Sequence, residues 1–133
     1  MWFKDIENRL YSRIKAILTA KYGDKYKSLN VTTNEAVYEP TALPTVHLHF
    51  NIEERGNDLD NTGINAVQMS IRVRVIVSSG QGLKVAEELS YAVMQILKEA
   101  RFNVTMPGLD TDEGDTKALV STYRRLIGAN DTI

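Results

Sequence analysis

The chain has 133 residues, 16 of them Lys or Arg and 17 Asp or Glu, so its length allows one domain and its charges nearly cancel. That balance argues against a dedicated nucleic-acid binder, whose usual footprint is a strongly basic domain. No cysteine is present, which excludes disulfides, thiolate metal sites, iron–sulfur clusters and cysteine nucleophiles, while 43% hydrophobic residues suffice for a core without staples.

The chain opens Met1-Trp2-Phe3-Lys4-Asp5 and meets charge at once, unlike a secretory signal. No apolar run approaches the roughly 20 residues needed to cross a bilayer. Phe3, Ile6, Leu10, Ile14, Ile17 and Leu18 recur at three- and four-residue steps and predict an amphipathic helix over 5–21. Gly23 is expected to close it in the left-handed conformation.

Alternation over 31–37 predicts a weak β-segment, and Pro40 and Pro44 predict an extended, irregular run over 38–45. The next strand is clearer, with Val46, Leu48, Phe50 and Ile52 on one face and His47, His49 and Asn51 on the other. Residues 53–63, EERGNDLDNTG, read as a long loop or hairpin connection. A strand over 64–77 follows, with Val67, Met69, Ile71, Val73, Val75 and Val77 facing in and Gln68, Ser70, Arg72 and Arg74 facing out.

Ser78 and Gln81 have the spacing of a capping box ahead of a second helix, whose apolar stripe is Ala86, Leu89, Val93, Ile96, Leu97 and Ala100. Phe102, Val104 and Met106 predict a short strand, 107–115 an acidic turn and 116–127 a last strand. The fold class is therefore α+β: an antiparallel or mixed sheet of four or five strands with two helices packed on one face. A single domain spans 1–133, comprising an N-terminal helix and connection over 1–29, sheet and second helix over 30–127, and a tail over 128–133.

Three constellations bear on chemistry. His47 and His49 share a strand face, but they are the only histidines, and zinc needs three or four ligands. Asp110 to Asp115 has alternate carboxylates, yet glycine stands at the fifth position and Ser121 at the twelfth, so the calcium-loop register fails. Gly80-Gln81-Gly82 lacks the third glycine of a dinucleotide fingerprint. No nucleophile elbow or catalytic triad is visible, so the expectation is a non-enzyme with no cofactor and no metal.

Charge placement is more informative. Residues 1–29 carry seven basic and three acidic side chains, residues 30–71 one and six, and residues 107–116 four acidic and none basic. Either these blocks interleave on solvated faces, or a basic surface of one copy meets an acidic loop of the next in a heterologous contact. Arg72 with Arg74, and Arg124 with Arg125, supply paired guanidiniums for carboxylates. The candidate interface residues are Glu53, Glu54, Asp58, Asp60, Arg72, Arg74, Arg124 and Arg125.

From Val37 onward, Val-Tyr-Glu-Pro, then Leu43-Pro44-Thr45-Val46-His47-Leu48, Glu53-Glu54, the long alternating strand, the helix over 83–100 and Tyr123-Arg124-Arg125 resemble the tail terminator proteins of long-tailed bacteriophages, of the phage lambda type. The resemblance covers about residues 30 to 127 and rests on element order, length and a proline-led strand. It implies a structural virion protein in the phage tail, assembled in the bacterial host cytoplasm. Such a protein forms a homo-oligomeric ring, a hexamer, on the end of the tail tube and stops tube polymerisation. It also presents the surface that joins the head connector, with DNA only as passing cargo and no membrane. Competing readings are another neck protein, such as a head-completion or tail-to-head joining factor, and a small ligand-binding or enzymatic domain, which would need a pocket with convergent polar groups. A nucleic-acid-binding sheet ranks last, because the outward strand positions lack aromatics for base stacking.

Overall fold

In the computed structural model, the described residues are 2–33, 43–55, 66–104, 108–113, 115–128 and 131. Helix α1 runs Trp2–Tyr22 and α2 Leu83–Glu99, with strands β1 (Asn30–Thr32), β2 (Thr45–Arg55), β3 (Ala66–Ser78), β4 (Gly108–Glu113) and β5 (Thr116–Gly128). The five strands form one sheet in the order β1-β2-β3-β5-β4. Only β1 and β2 are parallel; the other neighbours are antiparallel, so the sheet is mixed and the fold α+β.

Period-two patterning decides which face is buried. Val67, Met69, Ile71, Val73, Val75 and Val77 of β3 point one way, with Val46 and Leu48 of β2 and Leu119, Tyr123 and Ile127 of β5 opposite them in register. These side chains share one buried cluster with Phe3, Ile6, Leu10, Ile14 and Leu18 of α1 and Ala86, Leu89, Val93, Ile96 and Leu97 of α2. The helical stripes at three- and four-residue spacing thus meet the alternating face of the sheet in a single core. Lys25 Nζ donates to both Glu88 oxygens at 3.0 and 3.2 Å, tying the connection after α1 to α2.

Several boundaries differ from the sequence expectations, each for a local reason. Gly23 is not in the left-handed conformation; its amide donates to the Thr19 carbonyl at 2.9 Å, and a Cβ there would collide with that same carbonyl oxygen. Close approach, not positive φ, is what requires glycine. Ser78 and Gln81 do bond reciprocally, the Ser78 amide to Gln81 Oε1 at 3.0 Å and the Gln81 amide to Ser78 Oγ at 3.2 Å. Their box closes the turn before α2 and does not cap the helix, because Gly82 at φ 82° intervenes as N-cap with no side-chain cap bond.

Of the expected strand at 102–106, the described residues 102–104 make a single bridge, Asn103 with Arg124, and 105 and 106 lie outside the described residues. Within the expected acidic turn at 107–115, the described residues Gly108–Glu113 form strand β4, paired along β5 with a bulge between Leu109 and Thr111, and 107 and 114 lie outside the described residues. Glu53 and Glu54, expected in a loop, lie inside β2 opposite Gln68 and Val67. The expected β-segment over 34–37, Pro40, and the stretch 56–65 with Asp58 and Asp60 lie outside the described residues. Among the described residues, no helix is long and apolar enough to cross a membrane.

Helix α2 ends in a Schellman closure: the Arg101 amide donates to the Lys98 carbonyl and the Phe102 amide to the Leu97 carbonyl, both at 3.0 Å, with Phe102 and Leu97 buried. This closure puts exposed Arg101 at φ 67°, where a Cβ is costly. Arg101→Gly is therefore expected to raise stability by up to about 1 kcal/mol, a few degrees in Tm. A thermal melt that moves down would contradict this account.

Candidate functional site: the open sheet face

Residues of opposite parity to the core form the second face of β2, β3 and β5. Cross-strand register ranks them in rungs: Glu53, Gln68, Leu126; then Asn51, Ser70, Arg124; then His49, Arg72, Thr122; then His47, Arg74, Val120. The following rung, Thr45, Ile76 and Ala118, is buried, so this face is open along the first three rungs and closes toward Pro44. Arg72 and Arg124 are exposed, whereas Arg74 is half-buried.

Neighbouring strands lie about 4.8 Å apart and diagonal positions within reach of long side chains, so Arg124, Arg72 and Arg74 form one oblique guanidinium row. Around them stand the neutral hydrogen-bonding groups Ser70, Thr122, Asn51 and Gln68, with Glu53 as the one carboxylate in these rungs. Asn51, Glu53, Gln68, Ser70 and Arg124 line a concavity of about 490 Å³. Glu53 and Arg124 therefore face the same hollow within one copy. Glu53, Arg74, His47 and His49 each already have an interacting partner in the chain.

Not all the predicted interface residues converge there. Glu54 falls on the opposite face of β2 and lines a separate concavity of about 320 Å³ with Phe3, Lys4, Glu7, Phe50, Asn51 and Ile52. Arg125 is also turned away. Its side chain is only 12% exposed, Nη1 donates to the Ala100 carbonyl at 2.8 Å, and Nη2 lies 3.8 Å from Asp131 Oδ2. It is a structural tie between β5 and the end of α2. Adjacent strand residues point to opposite faces, so Arg124 and Arg125 cannot act as a pair.

Sequence reasoning placed Asn51 and Gln68 outward without naming them as interface residues, and it missed Leu126. Leu126 is 59% exposed, and its even parity with Arg124 was the signal that could have found it. Among the described residues, no three His, Asp or Glu side chains are grouped as a metal site. The arrangement can bind anionic groups through rigidly spaced guanidiniums and supplementary hydroxyl and amide donors. Compared with protein-family models and with curated proteins, the chain matches none.

Proposed function

We propose that the chain is a structural subunit that works by joining copies of itself, and specifically that it is a phage tail terminator. In this reading it forms a ring, a hexamer, on the end of the tail tube, halts tube growth and offers the surface to which the head connector attaches. DNA passes through as cargo. The observation that carries the reading is the open sheet face: one side of the sheet is consumed by the core, and the other presents the exposed guanidiniums of Arg72 and Arg124. A subunit that repeats in a ring needs such a fixed, charged surface for a different patch of the next copy to meet. The resemblance over residues 30 to 127 supplies the tail context.

Mass and shape measured on the purified chain, with and without tail tubes, test the assembly. Lysates lacking the protein are expected to accumulate overlong or headless tails. Tails of normal length that join heads in its absence would reject the terminator role.

A further inference from the structure

Two guanidiniums on the open sheet face keep their charge unmet. Among the described residues, exposed Arg72 and Arg124 make no ion pair or side-chain hydrogen bond, whereas Arg13, Arg74 and Arg125 are each engaged. Register sets the two on the diagonal of one square. Arg124 stands opposite Ser70 and Arg72 opposite Thr122, with Ser70 and Arg72 two residues apart on β3 and Thr122 and Arg124 two apart on β5. Such diagonal positions lie about 7–8 Å apart at the backbone, within reach of long side chains. Both guanidiniums can therefore close on the ground beside Ser70, to which β2 adds Asn51 in the same rung. Arg124, Ser70 and Asn51 also line the hollow of about 490 Å³, so the ground is recessed. Two like charges held this close repel, and an anion between them removes that cost.

Donor count selects the anion. Each guanidinium offers a fork of two parallel N–H groups, which gives four donors before the Ser70 hydroxyl and the Asn51 amide are added. A carboxylate, with two oxygens, is saturated by the forks alone. A phosphate group brings three acceptor oxygens and a charge of about −1.5 to −2, which matches two guanidiniums and leaves acceptors for the hydroxyl and the amide. The surroundings select its size. Residues 30–71 carry one basic and six acidic side chains, and Glu53 lines the same hollow, so a long polyanion meets repulsion on leaving the two arginines. The outward strand positions also lack aromatics on which bases would stack.

The geometry points to a binding site for a small free phosphate, inorganic or the terminal group of a phosphate monoester, formed by Arg72, Arg124, Ser70 and Asn51. It goes beyond the assembly reading and does not require it. In an assembled ring the same guanidiniums meet a neighbour, so the site belongs to the unassembled chain.

Titration of the full chain with inorganic phosphate, in about 150 mM sodium chloride to screen diffuse attraction, tests the site. One phosphate per chain is expected, with amide NMR shifts centred on 70–72 and 122–124. Arg72→Gln and Arg124→Gln are each expected to weaken binding at least tenfold and Ser70→Ala about threefold. Glu53→Gln, which removes the carboxylate from the hollow, is expected to tighten it at least twofold. Arg101→Gly takes away an exposed guanidinium beyond α2, on the covered side of the sheet, and is expected to leave binding unchanged. Acetate is expected to bind at least tenfold more weakly than phosphate. Circular dichroism matching the unaltered chain shows that each variant is folded, and the two arginine variants test the site independently.

Equal losses at Arg72, Arg124 and Arg101 would overturn the proposal in favour of diffuse charge. Acetate binding as well as phosphate would overturn it in favour of a carboxylate partner. A single-stranded oligonucleotide that binds more tightly than free phosphate, and is lost with Arg72→Gln, would overturn it in favour of a nucleic-acid backbone. Shifts centred away from 70–72 and 122–124 would overturn it outright.

Discussion

Tyr123→Phe is expected to stabilise the protein, although Tyr123 is fully buried and belongs to the core cluster. Its hydroxyl and Ser121 Oγ, two residues away on the same face of β5, are buried without a hydrogen bond of good geometry, and the Ser121 hydroxyl is the one polar group that acts on it, weakly. An interior hydroxyl stripped of water without a replacement bond costs about 1–3 kcal/mol, so deleting it while keeping the ring is expected to recover about 1 kcal/mol. Tyr123→Ala removes the ring as well and is expected to cost about 3–5 kcal/mol. Opposite signs from one position identify the hydroxyl, not the ring, as the liability. Urea unfolding that shows Tyr123→Phe to be destabilising would mean that the contact with Ser121 is a full hydrogen bond.

The same burial sets an alkaline limit. Burial pushes the Tyr123 pKa above its ordinary 10.0, with the Ser121 hydroxyl opposing the shift in part. The unfolded chain then ionises first. The stabilisation is therefore complete below pH 10 and is lost as pH rises through the folded-state value. Lys25 acts in the same direction, since its hydrogen bond to Glu88 raises its pKa from 10.5 and its favourable contact disappears on deprotonation. Stability measured from pH 8 to 11 is expected to fall steeply above 10, and Tyr123→Phe is expected to flatten that fall.

How much of this was legible in the sequence depends on where local pattern and tertiary pairing agree. Both helices and the long inward face of β3 follow from spacing alone, because burial of one stripe or one alternating set is what the core demands. β4 was not legible: Gly108-Leu109-Asp110-Thr111-Asp112-Glu113 has the composition of a turn, and only pairing with the edge of β5 makes it a strand. Glu53 and Glu54 were missed for the same reason, since β2 is carried to Arg55 by its register with Ala66 to Gln68. In the candidate site, parity placed Arg72 and Arg74 outward correctly. Reading Arg124 and Arg125 as a pair ignored that same parity, and only tertiary packing brings Arg125 to Ala100 instead.

That contrast yields a test between neighbours. Arg125→Ala is expected to destabilise the fold by about 2–3 kcal/mol, the range for a charge-assisted hydrogen bond whose loss leaves its acceptor bare. Ala100 follows directly on α2, is only 4% exposed, and has its carbonyl met by the Arg125 guanidinium; alanine leaves that carbonyl with no donor at this point. Asp131 loses its ion pair at the same time but keeps the Gly128 amide, which donates to its Oδ2 at 2.8 Å, so the chain after β5 is loosened and not released. Arg125→Lys is expected to fall between, because a single ammonium cannot serve both Ala100 and Asp131 as the forked guanidinium does. Arg124→Ala, one residue away but exposed on the other face, is expected to change stability by no more than about 0.5 kcal/mol while weakening association between copies. Equal losses of stability at the two positions would contradict the assignment of one arginine to the fold and the other to the surface.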